Sequence, residues 1–369
     1  MCNQQIRIAH VMGKMVSGGV ESVVMNYYRN IDKKKIQFDF IVDEDSTYIP
    51  RDEIENMGGR VILVPPYQKI FSYIKKLKIV FKENEYKIVH SHLNTISVFP
   101  LYAAKIAKVP VRIAHSHSTS NKKEWKKDIL KNILKLFSKT NATHYFCCSE
   151  LAGRWLFGDK EYDNNKVKLI NNAIDIDKFI YNEEIRDKIR KEIKVENKLV
   201  IGHIGRFVEQ KNHIGLLEIF YEIHKENKEA VLLLVGDGPL FNVIKEKVKS
   251  FNLQDSVIFL GKRNDVNRLM QGMDIFLLPS LYEGLPVVGV EAQASGLLCI
   301  FSDSMTKETK IIESTKFISL SKSYSLWAKE ILEAHKRYKR KDTKIEVINS
   351  SFEIKTESKK LESIYINEL

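Results

Sequence analysis

The feature that most constrains the fold is an alternation, run through twice, of short continuous apolar segments and longer amphipathic ones. In the first half, IRIAHVM (6–12), FDFIV (38–42), RVILV (60–64), KIVHSH (87–92), VRIAHSH (111–117), THYFCCS (143–149) and VKLINN (167–172) read as strands. In the second half, LVIGHIG (199–205), AVLLLVGD (230–237), VIFLG (257–261), IFLLPS (275–280) and LCIFSD (298–303) do the same. A strand that is apolar at every position is buried on both faces, as in a parallel sheet covered by helices. Helical periodicity fills most of the gaps, for example over 20–30, 69–83, 97–107 and 122–138. Strand, helix, strand in repetition makes an α/β doubly wound sheet, and here it makes two.

The expected organisation is a Rossmann-like domain over 1–175, a polar linker over 176–197, a second Rossmann-like domain over 198–350 and a final helix over 351–369 that can pack back on the first domain. A chain of 369 residues fits two such domains better than one core. No run reaches the ~18 apolar residues of a membrane span, and the N-terminus lacks the pattern of a secretory signal, so a cytoplasmic location is expected. The four cysteines, Cys2, Cys147, Cys148 and Cys299, lack zinc spacing and read as reduced structural thiols.

The net charge of +12 is unevenly placed. Residues 1–170 hold 28 Lys and Arg against 17 Asp and Glu, whereas the remainder holds 31 against 30. A basic excess confined to one half favours an anionic partner there. Nucleic acid is a poor fit, because no helix-turn-helix, zinc finger or aromatic RNA-binding stretch accompanies the charge. The segment 121–139, NKKEWKKDILKNILKLFSK, sets Trp125, Ile129, Ile133, Leu136 and Phe137 on one face and Lys127, Lys131, Lys135 and Lys139 on another. That is the pattern of a cationic helix lying on an anionic membrane, and equally of a domain helix packed on its sheet.

In doubly wound sheets ligands bind beyond the carboxyl ends of the strands, so the candidate residues are those just after strands. With two such domains the expected site is the cleft between them. After the first strand, Gly18-Gly19 lets the backbone approach a ligand at a helix N-terminus beginning near Val20. No G-x-G-x-x-G or Walker motif follows that strand. After later strands come His90 and His92, then His115 and His117, read as alternating to opposite sides of the sheet. No carboxylate accompanies these four histidines, so hydrogen bonding to a polar substrate is expected rather than metal binding. In GRFVEQKN, Arg206 and Lys211 supply two cations suited to a diphosphate, with a solvated surface pair as the plainer alternative. VGDGP (235–239) reads as a structural turn with Asp237 capping the next helix. In YEGLPVVGVEAQASG, Glu283 precedes Gly284-Leu285-Pro286 and Glu291 lies about two turns into an apolar helix, where a carboxylate needs a partner. Ribose hydroxyls or a buried cation would serve. Together these groups describe a site for a nucleotide-sugar.

At these residues the chain resembles the family-4 retaining glycosyltransferases of the GT-B fold. The resemblance rests on Glu283 and Glu291 separated by seven residues, Gly205-Arg206 followed by Lys211, Gly18-Gly19, and Asn172 to Asp175. The AHSH segment and the length are most similar to the branch that builds bacterial capsular and exopolysaccharides. The resemblance implies a UDP-sugar donor, with Arg206 and Lys211 on its diphosphate, Glu291 on ribose, Glu283 with the amides of Gly284 and Leu285 on the transferred sugar, Gly19 near the phosphate and His115 beside the sugar. It implies no metal cofactor and a lipid-linked sugar acceptor at the inner face of the plasma membrane. After Asp303 the chain reads SDSMTKET where many relatives have a Gly-Gly turn, so donor preference does not transfer in detail. A nucleotide-sugar epimerase of the same two-lobed fold is the rival enzyme.

Overall fold

The structure is a computed structural model that describes residues 5–16, 18–118 and 132–368. The chain divides into two compact units, Met1–Ala173 with Ile354–Leu369, and Ile174–Glu353.

The first unit holds seven parallel strands: β1 Ile6–Gly13, β2 Ile36–Asp43, β3 Arg60–Val64, β4 Ile88–Ser91, β5 Val111–Ser116, β6 His144–Cys147 and β7 Val167–Leu169. Their order is β3-β2-β1-β4-β5-β6-β7. All eight residues of β2 are buried, its polar Asp39 included, which is held by Arg7 and Arg60. The order reverses between β1 and β4, which pair directly with His10 opposite His90. On one side Val11, Ile41, Val89 and Ala114 meet Leu77, Phe81 and Leu101 from helices Ile70–Glu83 and Val98–Ile106. The final helix, Ile354–Asn367, belongs to this unit. Its Tyr365 is fully buried, and Glu362 pairs with Lys35 at 2.9 Å.

The second unit has six parallel strands: β8 Leu199–Ile204, β9 Ala230–Val235, β10 Val257–Gly261, β11 Ile275–Leu278, β12 Leu298–Ser302 and β13 Lys316–Ile318. Their order is β10-β9-β8-β11-β12-β13, with its reversal between β8 and β11. Twelve of the strands follow the apolar runs. The three-residue β13 does not, because Lys-Phe-Ile at a sheet edge carries too little pattern to be read. The segment 176–197, expected as a linker, packs within this unit. Its helix Glu183–Glu192 lays Ile189 so close to Gly272 that a Cβ there would come within 2.8 Å. Arg186 and Arg190 both donate to Asp274, at 2.5 and 3.2 Å. A charged sequence conceals this packing because the buried guanidinium is neutralised by a carboxylate and by carbonyls.

Candidate functional site

The reversal point of the second sheet carries the group with the most chemistry. Beyond β8 the chain runs through Gly205, Arg206 and Phe207 into a 3-10 turn, Glu209–Lys211. The neighbouring VGDGP loop seals against it. Gly236 has φ +136, and a Cβ there would lie 2.1 Å from the Gly205 carbonyl. A Cβ on Gly238 would lie 2.6 Å from the Phe207 carbonyl. Asp237 is not a helix cap. Its carboxylate accepts from the Gly238 amide at 2.7 Å, and the next helix starts only at Phe241. Asn212 takes the left-handed conformation, φ 53, and its side-chain oxygen accepts from Gly215 to start helix His213–Glu226. Its amide donates to the Pro279 carbonyl at 3.0 Å, tying this turn to the end of β11.

Beyond β11 the chain places Glu283 against that turn. The Lys211 ammonium lies 2.6 Å from Glu283 Oε1, and Gln210 Nε2 donates to Glu283 Oε2 at 3.0 Å. Glu283 is buried, so these two donors hold its carboxylate in one orientation. A carboxylate has about four acceptor sites, and two stay available for ligand hydroxyls. Gln210 also donates to the Tyr282 carbonyl at 3.1 Å. Sequence reasoning missed Gln210. Its place directly before Lys211 was the available signal.

Gly284 and Leu285 form the turn before helix Val287–Ala294. Glu291 sits just over one turn into this helix, nearer its start than expected. The helix is buried except at Val288 and Glu291, three residues apart on one face. The Glu291 carboxylate makes no hydrogen bond or ion pair with the described residues, and burial pushes its pKa up to about 7. The alternative reading of Glu291, a buried cation as its partner, is thus not seen among the described residues. Arg206 is exposed, with no ion pair among the described residues. The stretch after β12 that departs from the family pattern reaches the same loop. Ser302 and Ser304 hydroxyls both donate to the Ser280 carbonyl, at 2.5 and 2.8 Å.

The other candidates belong to the first unit. Gly18 caps helix Gly19–Asn30, which begins one residue before the expected Val20. Glu21 Oε1 accepts from the Val16 amide at 2.9 Å and Oε2 from the Gly18 amide at 3.1 Å, so this loop already holds one carboxylate of its own. A Cβ on Gly19 would meet nothing within 4 Å, which is the open approach a ligand needs. His115 is an interior residue at 2% exposure, with Nδ1 3.0 Å from His90 Nε2. It therefore has almost no surface to offer a donor sugar. His115 and His117 do not point to opposite sides. Residues two apart on a strand share a face, and their rings stack with centroids 3.9 Å apart. His90 and His92 stack likewise at 4.2 Å.

Two family descriptions match the chain. Residues 17–178 match "Glycosyltransferase Family 4" and residues 184–346 match "Glycosyl transferases group 1". EpsF of Bacillus subtilis (strain 168), named as a glycosyltransferase, is 39% identical over 341 residues, covering 90% of this chain and 89% of that protein. A UDP-Gal:alpha-D-GlcNAc-diphosphoundecaprenol alpha-1,3-galactosyltransferase of Escherichia coli is 28% identical, with 82% and 80% covered. Among solved structures, HepE of Anabaena in complex with UDP-glucose superposes with a TM-score of 0.80 at 18% identity, over 99% of this chain and 100% of that one.

Proposed function

The chain belongs to the family-4 glycosyltransferases of the GT-B fold, and from that premise we propose that it transfers a hexose or N-acetylhexosamine from a UDP-sugar to a lipid-linked saccharide, with retention, in capsule or exopolysaccharide synthesis. One observation carries the donor reading. At the reversal point of the second sheet, Glu283 and Lys211 hold each other beside Arg206, and Glu291 lies on the helix that follows, Arg206 and Glu291 having no ion pair among the described residues. A UDP-sugar offers matching groups: ribose hydroxyls for Glu291, a diphosphate for Arg206 and Lys211, and sugar hydroxyls for Glu283. The name of the Escherichia coli relative supports UDP and a diphosphoundecaprenol-linked acceptor.

In the proposed reaction the sugar–phosphate bond loosens while Arg206 and Lys211 take up charge on the departing diphosphate. The acceptor hydroxyl attacks from the same face. A leaving phosphate oxygen takes its proton. Gly284 and Leu285 orient the sugar from the turn that precedes helix Val287–Ala294. Gly19 leaves room for phosphate in the first unit. The reaction needs no metal, because fixed cations carry the charge.

Membrane docking is part of the proposal. Residues 121–131 of the expected interfacial segment lie outside the described residues. The remainder keeps Ile133, Leu136 and Phe137 exposed, Leu136 at 76%. Helix Ile70–Glu83 adds Phe71 at 88% exposure beside exposed Lys75, Lys76 and Lys78. An exposed aromatic among lysines suits an anionic surface. No helix among the described residues is long and apolar enough to cross a membrane.

The test combines the protein with a panel of UDP-sugars and an undecaprenyl-diphosphate-linked monosaccharide, with products read by mass spectrometry and the new anomeric configuration by NMR. A disaccharide product with the donor's configuration is expected. Donor isomerised or hydrolysed without transfer to any acceptor would contradict the proposal.

A further inference from the structure

The reversal point of the first sheet holds an arrangement with no part in the donor chemistry. His10 from β1, His90 from β4, His115 from β5, and His92 and His117 just past β4 and β5 gather on one face, each less than 9% exposed. Their rings are joined edge to edge. His92 Nε2 lies 2.9 Å from His10 Nδ1, and His92 Nδ1 lies 2.9 Å from His117 Nε2. His90 links His115 Nδ1 at 3.0 Å to the Tyr365 hydroxyl at 2.7 Å. Among the described residues, three nitrogens are buried without a partner: His10 Nε2, His115 Nε2 and His117 Nδ1. Buried polar atoms in folded proteins are rarely left so. The rings border a void of about 10 Å³, at the lower limit for one ordered water.

Two triads bring one nitrogen per residue within 4.8 Å of one another: His10, His90 and His92, and His92, His115 and His117. His92 is common to both. Ligand nitrogens around a tetrahedral ion with metal–nitrogen bonds of about 2.0–2.1 Å are separated by roughly 3.3 Å. One pair in each triad lies at 2.9 Å, His10 with His92 and His92 with His117, and a small expansion brings that pair to the required spacing. In each hydrogen-bonded pair one nitrogen already presents its lone pair, and the other exposes one by changing tautomer. Neutral imidazole is the form that binds metal.

We infer that this histidine cluster is a binding site for one borderline divalent transition ion, zinc by preference, held through His92 with two neighbouring imidazoles. Imidazole ligands favour Zn²⁺, Co²⁺, Ni²⁺ or Cu²⁺ over Mg²⁺ or Ca²⁺. Three imidazoles leave a fourth position of a tetrahedral ion for a water. The ion ties β4 to β1 through the first triad or to β5 through the second, so its first effect is on the stability of the first unit.

The test uses the full chain expressed with added Zn²⁺ or Co²⁺, passed through gel filtration and assayed by elemental analysis. About one equivalent per chain, tetrahedral Co²⁺ absorption bands and a raised Tm are expected. His92→Gln breaks both triads and loses the ion. His10→Gln and His117→Gln each break one, and loss in a single variant assigns the ion to that triad. Should His92→Gln fail to fold, the double variant His10→Gln/His117→Gln replaces it. Retention of less than about a tenth of an equivalent by the native chain overturns the inference, and so does full retention once both triads are broken.

Discussion

Lys211 faces two demands. Its ammonium is held at 2.6 Å by Glu283, and in the proposed reaction it also meets a departing diphosphate. Lys211→Ala removes the cation and frees the buried carboxylate together. A loss on the order of 10²-fold in kcat is expected, measured with saturating donor. Lys211→Arg keeps the charge but not the compact ammonium, and should recover only part of the rate. Glu291 gives a pH signature. Burial raises its folded pKa to about 7 from the ordinary value of 4.5. Between those values the unfolded chain gives up a proton that the folded one keeps, so stability falls as pH rises from about 4.5 to about 7 and then levels. Glu291→Gln should match the native Tm near pH 4.5 and exceed it at pH 8. A variant no more stable at pH 8 would mean that the carboxylate is already satisfied. Arg206, Glu283 and Glu291 stood out in the sequence beside a glycine or inside an apolar helix, and Lys211 by its strand-end loop, and the structure brings Lys211 to Glu283. Gln210 did not stand out, because an amide in a polar loop looks like any solvated residue. His10 was missed for the opposite reason. It sits among the apolar residues Ile8, Ala9, Val11 and Met12, and only pairing with β4 brings it to His90 and His92.

Loops and helices decide whether those residues meet. Gly236 is a point of close backbone approach, so Gly236→Ala forces the VGDGP loop away from Gly205 and moves Arg206 with it. A loss of several kcal/mol or insoluble protein is expected. Unchanged Tm and donor KM would refute this coupling. The last helix is a second case. Tyr365 is its fully buried residue, and its hydroxyl meets His90 at 2.7 Å. Tyr365→Phe leaves His90 Nδ1 unpaired in the core and should cost about 1–3 kcal/mol in chemical denaturation. The apolar strands were readable because burial on both faces leaves a continuous signature. Helix Glu183–Glu192 was hidden, because its contacts to Asp274 are made by arginines that look solvent-exposed in sequence. The side that a histidine takes is a matter of period, and a spacing of two means one face, which the ring stacking makes plain.

Across the whole chain, charge and chemistry are divided between the halves. The basic excess of 28 against 17 lies within residues 1–170, while the proposed donor-binding charges lie within Ile174–Glu353. Anionic vesicles should therefore float more protein than neutral ones, with the difference falling at high salt. Phe71→Ser should weaken flotation without changing donor affinity. Equal partitioning to both vesicle types would remove membrane docking from the proposal and leave the donor chemistry intact.

The most direct measurement is the thermal midpoint of the native chain against UDP, GDP, ADP and NAD in the presence of a chelator. Ligand that binds only the folded state raises that midpoint by mass action. Selective stabilisation by UDP, lost in Glu291→Ala, is the result expected of a metal-independent UDP-sugar site built on Arg206, Lys211, Glu283 and Glu291. No shift with any nucleotide, or an equal shift in Glu291→Ala, would contradict it.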